Sequence, residues 1–188
     1  SNKKVLILTP TYSGYQEAFE AYDANVSCYD LGNDYDIEKL PLDLVDDLDL
    51  IIMGNPNNPT GTYQNINPFL EEIKDKNTKI LVDESFSLFT NESYSLRNCI
   101  GKSDSLIVLE SLTKIYGIAG LRIGAIYGPE EMIQLLSKRR PPWSINQVAL
   151  ETLEKAMESE LAPLIEQLSK EKEIIKEKLE GLKMDYIM

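Results

Sequence analysis

Apolar positions in this chain come in short unbroken bursts separated by polar turns. "KVLILTP" (4–10), "LDLIIMGN" (48–55), "KILVDESF" (79–86) and "SLIVLES" (105–111) are bursts of this kind. Their length and β-branched content predict strands rather than helices. "VSCYDL" (26–31) predicts another strand and "RIGAIYG" (122–128) a sixth. Helical spacing fills the intervals: "GYQEAFEAYD" (14–23), "INPFLEEIKDK" (66–76), and "PEEMIQLLSKRR" (129–140), which its proline opens. From Asn146 to about Lys183 the pattern is helical, with Pro163 marking a break or the first turn of a second helix. The charges of "SKEKEIIKEKLEG" there fall at i,i+4 and predict a solvated face. "EGLKMDYIM" at the end predicts the start of one more strand. Strands alternating with helices predict an α/β fold: three layers, α/β/α, around a mostly parallel sheet.

Composition narrows the chemistry. The 188 residues suffice for one sound core. With 31 acidic against 19 basic residues the net charge is −12, which argues against nucleic acid or an anionic membrane as partner. The KRR cluster at 138–140 is too short to form a binding stripe. Cys28 and Cys99 make neither a metal spacing nor a disulfide framework, as expected of a cytoplasmic protein. There is no histidine, so Ser-His-Asp and Cys-His triads are excluded and most zinc sites with them. No apolar run reaches the roughly 18–20 residues that span a bilayer. No signal-peptide pattern opens the chain, and Ser1-Asn2 running into a strand reads as a start in mid-fold.

Ligands of doubly wound sheets sit beyond the carboxyl ends of the parallel strands. Those ends offer Tyr12, the "NPNNPTG" turn (55–61), Asp83 and Lys114. Aromatic, amide, carboxylate and amine on one rim suit a pyridine-type cofactor. A lone Lys114 would be a surface charge. Arg122 eight residues later changes that, because a guanidinium forks onto phosphate and the hydroxyls of Ser111 and Thr113 can donate to the same group. The glycines of "ESLTKIYGIAGLRIG" (110–124) permit a tight path between the two cations. Asp83 is either a turn aspartate or the partner of a protonated ring nitrogen. Asn58 is a turn residue that can also donate to a ring oxygen. Tyr12 is rim packing or a stacking surface.

In this order, "NPNNPTG", "VDESF" and "SLTKIYGIAGLRIG" resemble the class I/II aminotransferase superfamily of fold-type I pyridoxal-phosphate enzymes. The resemblance covers nearly the whole chain. It implies pyridoxal 5'-phosphate as cofactor, Lys114 as the Schiff-base lysine and Asp83 as the pyridinium partner. It further implies Asn58 at the ring oxygen, Tyr12 stacked on the ring, and Ser111, Arg122 and Thr113 at the phosphate. "RIGAIYG" becomes the one antiparallel strand.

Within the superfamily, "PPWSIN" (141–146) and Phe86 resemble the threonine-phosphate decarboxylases more than the histidinol-phosphate aminotransferases. Phe86 stands where many members carry a tyrosine. Loss of its hydroxyl leaves Asn58 as the main donor and implies a higher Schiff-base pKa. Trp143 and Asn146 are candidates for the substrate side, and the tryptophan serves equally as packing. The implied substrate is a small, phosphorylated amino acid or amine, and the implied full-length protein is a homodimer. The family's phosphate-binding glycine turn, cross-interface tyrosine and substrate-carboxylate arginine match nothing here. Residues 1–145 are therefore expected to be the large-domain core, and 146–188 a helical segment leading toward a C-terminal small domain. The segment alone is expected to be inactive. A non-catalytic cofactor-binding sensor or dimerisation module is the alternative from another class.

Overall fold

The apolar bursts become the centre of one sheet. In a computed structural model, which describes residues 3–90 and 95–184, the strands are β1 (Lys4–Thr9), β2 (Asn25–Asp30), β3 (Leu50–Gly54), β4 (Lys79–Asp83), β5 (Leu106–Ser111) and β6 (Gly124–Tyr127). Their order is β2-β1-β3-β4-β5-β6, and every pair is parallel except β5–β6. That exception has a local cause. The link from Ser111 to Gly124 holds only the four-residue helix α3 (Leu112–Ile115) and a 3-10 turn at Ala119–Leu121. A parallel return is usually carried by a full helix across the sheet, and none is present here. Gly124 also lets the two strands close up, since a Cβ there would lie 2.6 Å from the Glu110 carbonyl oxygen.

Alternation along the strands divides the core. Leu6, Leu8, Ile51, Met53, Ile80, Val82, Leu106 and Val108 share one face, packed with Phe69 and Ile73. Val5, Ile7 and Ile52 occupy the other, under Tyr15 and Phe19 of helix α1 (Gly14–Glu20). Each large apolar side chain so buried stabilises the fold by roughly 1.5–3 kcal/mol. β2 forms the edge, and its residues are exposed or half-buried, in keeping with its polar Ser27 and Asp30.

Several helices are shorter than their sequence pattern. α1 ends at Glu20, and α2 covers Asn67–Glu72 because the polar Lys74–Asn77 stretch beyond offers nothing to bury. The long C-terminal pattern is two helices, α5 (Gln147–Met157) and α6 (Ala162–Gly181), with Pro163 in the first turn of the second. Together with α4 (Glu130–Arg139) they bury only Ala149, and Leu135, Leu150, Ile174 and Ile175 are exposed. The strand expected at the chain's end lies outside the described residues from 185 on, as do Ser1 and Asn2.

Candidate active site

The loop after β3 is rigid because two of its three asparagines are used up by the backbone. Asn55 is fully buried and exchanges two hydrogen bonds with the Gln64 main chain, at 2.9 and 3.0 Å. Asn57 donates to the Pro10 carbonyl and to Thr60 Oγ1, and accepts from Thr11 Oγ1. The peptide bonds before Pro10, Pro56 and Pro59 are cis. Asn58 alone is exposed, and no described residue partners its amide. The loop's own hydrogen bonds thus present one free amide at the rim.

Asp83 closes β4, and its carboxylate is held from both sides. Tyr15 Oη donates to Oδ2 at 2.7 Å. Ser85 donates to Oδ1 through its backbone N–H at 2.9 Å and its hydroxyl at 2.5 Å. Burial, and after it the Asp83 charge, pushes the Tyr15 hydroxyl far above the ordinary tyrosine range, so it remains a donor at any physiological pH. Tyr12 meets Tyr15 edge-to-face with ring centroids 5.5 Å apart. Gly14 makes this possible, since a Cβ there would sit 2.4 Å from the Tyr12 ring.

Beyond β5, Lys114 lies in α3 and is exposed, and its amine makes no hydrogen bond or ion pair to any described residue. Thr113 is buried, and its Oγ1 stands 2.9 Å from Ser111 Oγ. Gly117 takes φ +64°, which turns the chain sharply. Arg122 is itself left-handed at φ +50°, an uncommon conformation for a side-chain-bearing residue. Its Nη1 donates to the Ala119 carbonyl at 3.0 Å, and its other N–H donors have no partner among the described residues.

These groups line one cavity of about 230 Å³. The structure brings Tyr12, Asn58, Asp83, Ser111, Thr113, Lys114 and Arg122 together there, with Phe86 and Pro56 as apolar wall. Lys114 and Arg122 outweigh Asp83, so a chain of net charge −12 presents a cationic hollow. An anion is favoured in it. The donor set fits a flat pyridine carrying a phosphate: acid, amide, amine and guanidinium each face the hollow. Trp143 and Asn146 are not brought to it. Trp143 is 95% exposed at φ +59°, and Asn146 caps α5 by accepting from the Ala149 N–H at 2.9 Å. Tyr15 and Ser85 line the cavity and were not foreseen. Their signal was local, a tyrosine one turn beyond Tyr12 and a serine placed for a turn bond to Asp83.

The family model for aminotransferase class I and II matches residues 1–185. This chain belongs to that family. An adenosylcobalamin biosynthesis bifunctional protein, CobDQ, from Leptospira interrogans is 34% identical over 186 residues, covering 93% of this chain and 21% of its own length. A putative threonine-phosphate decarboxylase from Caldanaerobacter subterraneus is 30% identical over 156 residues, covering 78% of this chain and 42% of its own. The fold is shared with a putative histidinol-phosphate aminotransferase from Erwinia carotovora, at a TM-score of 0.88 and 23% identity over all of this chain and 58% of that one. The chain therefore spans less than two thirds of the length of each. Among the described residues no group of side chains is fit to hold a metal ion, and no helix is long and apolar enough to cross a membrane.

Proposed function

We propose that this chain is the cofactor-binding core of a pyridoxal-phosphate-dependent enzyme, most like a threonine-phosphate decarboxylase acting on a small phosphorylated amino acid or amine. The single observation that carries the proposal is that Lys114, Asp83, Asn58 and Arg122 line one cavity, with the lysine amine unpartnered. When bound, the cofactor supplies an aldehyde for amine exchange and an electron-withdrawing ring. Lys114 Nζ would hold the cofactor at its aldehyde, and it is the amine placed in the cavity to move a proton. Asp83, anchored by Tyr15 and Ser85, holds a proton at the ring nitrogen. Asn58 donates to the ring oxygen, and Phe86 adds no second donor there. Tyr12 supplies the aromatic face, and Arg122, Ser111 and Thr113 take the phosphate.

The decarboxylase reading is supported by "PPWSIN" and Phe86 and by the putative threonine-phosphate decarboxylase that matches 78% of this chain. A histidinol-phosphate-type aminotransferase is the second reading, supported by relatives of that name that are 30% identical over as much as 83% of this chain. Residues 1–145 serve as the large-domain core, and the exposed apolar positions of α5 and α6 support a covered surface in a longer, cytoplasmic, homodimeric protein.

Borohydride reduction of the full-length protein with pyridoxal phosphate tests the anchor. A mass adduct on the peptide bearing Lys114 is expected, and an adduct elsewhere or none rejects the assignment. Assays with threonine phosphate and with histidinol phosphate plus 2-oxoglutarate then separate the readings. Carbon dioxide release supports the first and amino transfer the second. Binding without turnover leaves a sensor.

A further inference from the structure

Behind the cavity, on the opposite face of the sheet, lies a polar cluster that the proposed chemistry does not use. Alternation that turns Asp83 and Ser111 toward the cavity turns their neighbours Glu84 and Glu110 away from it, onto the side of Val82 and Val108. Both glutamates are almost fully buried, at 1% and 2% exposure. Glu84 accepts from Ser95 Oγ at 2.7 Å and from the Leu96 N–H at 2.6 Å. Ser95 Oγ in turn accepts from Arg97 Nε at 3.1 Å. Arg97 Nη1 stands 3.4 Å from Glu110 Oε1 and 3.5 Å from Oε2, and Tyr127 Oη donates to Oε2 at 2.9 Å. One chain of contacts thus runs Glu84–Ser95–Arg97–Glu110–Tyr127 and ties together the ends of β4, β5 and β6.

The charge count decides what this cluster does. It holds two buried carboxylates and one guanidinium, and Glu110 Oε1 has no hydrogen bond at all. Glu110 also walls a second cavity, of about 220 Å³, together with Ser111, Thr113 and Arg122, the groups assigned to the phosphate. Its carboxylate lies across the strand from that cavity but only one residue from Ser111, and low-dielectric surroundings leave its repulsion of an arriving phosphate poorly screened. We infer that Arg97 is a positioning and charge-balancing residue for the phosphate cradle, neutralising Glu110 so that the wall behind Ser111 accepts a phosphate-bearing ligand. The inference rests on the pyridoxal-phosphate reading and names a residue that touches neither cofactor nor substrate. Burial, offset in part by its hydrogen bonds and by Arg97, raises the Glu84 carboxyl above its ordinary range, in keeping with a site short of positive charge.

The test compares pyridoxal phosphate with pyridoxal, which shares the aldehyde and the ring but lacks the phosphate, by absorbance titration of the full-length protein. Arg97→Gln should weaken pyridoxal phosphate roughly tenfold, on the scale of one uncompensated nearby charge, and pyridoxal far less. The double variant Arg97→Gln/Glu110→Gln should recover the lost selectivity, and Arg97→Lys, which keeps the charge, should retain it. Equal weakening of both ligands, additive loss in the double variant, or loss in Arg97→Lys as large as in Arg97→Gln would overturn the inference while leaving the cofactor assignment intact. A wild-type protein that binds neither ligand sinks the cofactor reading, and this inference with it.

Discussion

The loop after β3 and the turn after β5 bound the same cavity in opposite ways. In the first, Asn55 and Asn57 are buried and satisfy neighbouring backbone, and only Asn58 is left over. In the second, Lys114 has no partner among the described residues and Arg122 uses one donor of its guanidinium. Buried polar groups without partners cost folding free energy, so the first loop is a wall built for itself. Exposed cations without partners cost little, and their worth appears only when a ligand arrives. Polar residues of one rim therefore sort into those that hold the fold and those that await chemistry.

Substitutions can break that contrast. Lys114→Ala in the full-length protein should lower turnover by roughly 10²–10⁴-fold for loss of the proton-moving group. Urea unfolding should meanwhile shift by less than about 0.5 kcal/mol, as for other surface sites. A large loss of stability would place Lys114 among the structural groups after all. Asn57→Ala should do the reverse, destabilising by about 2–4 kcal/mol because the Pro10 carbonyl and Thr60 Oγ1 lose their donor and Thr11 Oγ1 its acceptor. Its effect on turnover at low temperature should be far smaller than that of the lysine variant.

Tyr15→Phe lies between the two classes. It removes a donor to a carboxylate, a bond worth about 1.5–3 kcal/mol, and should weaken both stability and cofactor affinity, read by unfolding with and without pyridoxal phosphate. Stability unchanged alongside weakened binding would move Tyr15 wholly to the ligand's side.

The smallest effect concerns pH. The Glu84 carboxyl is raised above its ordinary 4.5, chiefly by burial. The unfolded chain therefore gives up its proton first as pH rises. The group's contribution is complete below about 4.5 and is lost as pH climbs through the raised folded value. Arg97 and Glu110 face the same carboxyl with opposing influence. Unfolding midpoints of Glu84→Gln should be flatter than wild type across this window, and a parallel pair of curves would contradict the assignment.

Much of this was legible along the chain. Short apolar bursts are satisfied by strands covered on both faces, and the order of the motifs along the chain singles out Lys114, Asp83, Asn58 and Arg122. Helix ends were less legible: the apolar spacing that predicts a helix over 66–76 continues past Glu72, where α2 ends before the polar Lys74–Asn77 stretch. The division among Asn55, Asn57 and Asn58 was not legible, three like residues whose fates differ by which backbone groups come near. Trp143 had two expected roles and takes neither in this structure, since it points to solvent.

By itself, then, the sequence determined which chemical groups reach the carboxyl rim, because strand period and turn residues are local properties. Only the tertiary structure decided which of those groups are already satisfied. Tyr15 meets Asp83 across 68 residues, and Arg97 meets Glu110 from a separate turn. Hydrogen bonding and charge balance depend on distance in space, which spacing along a chain does not fix.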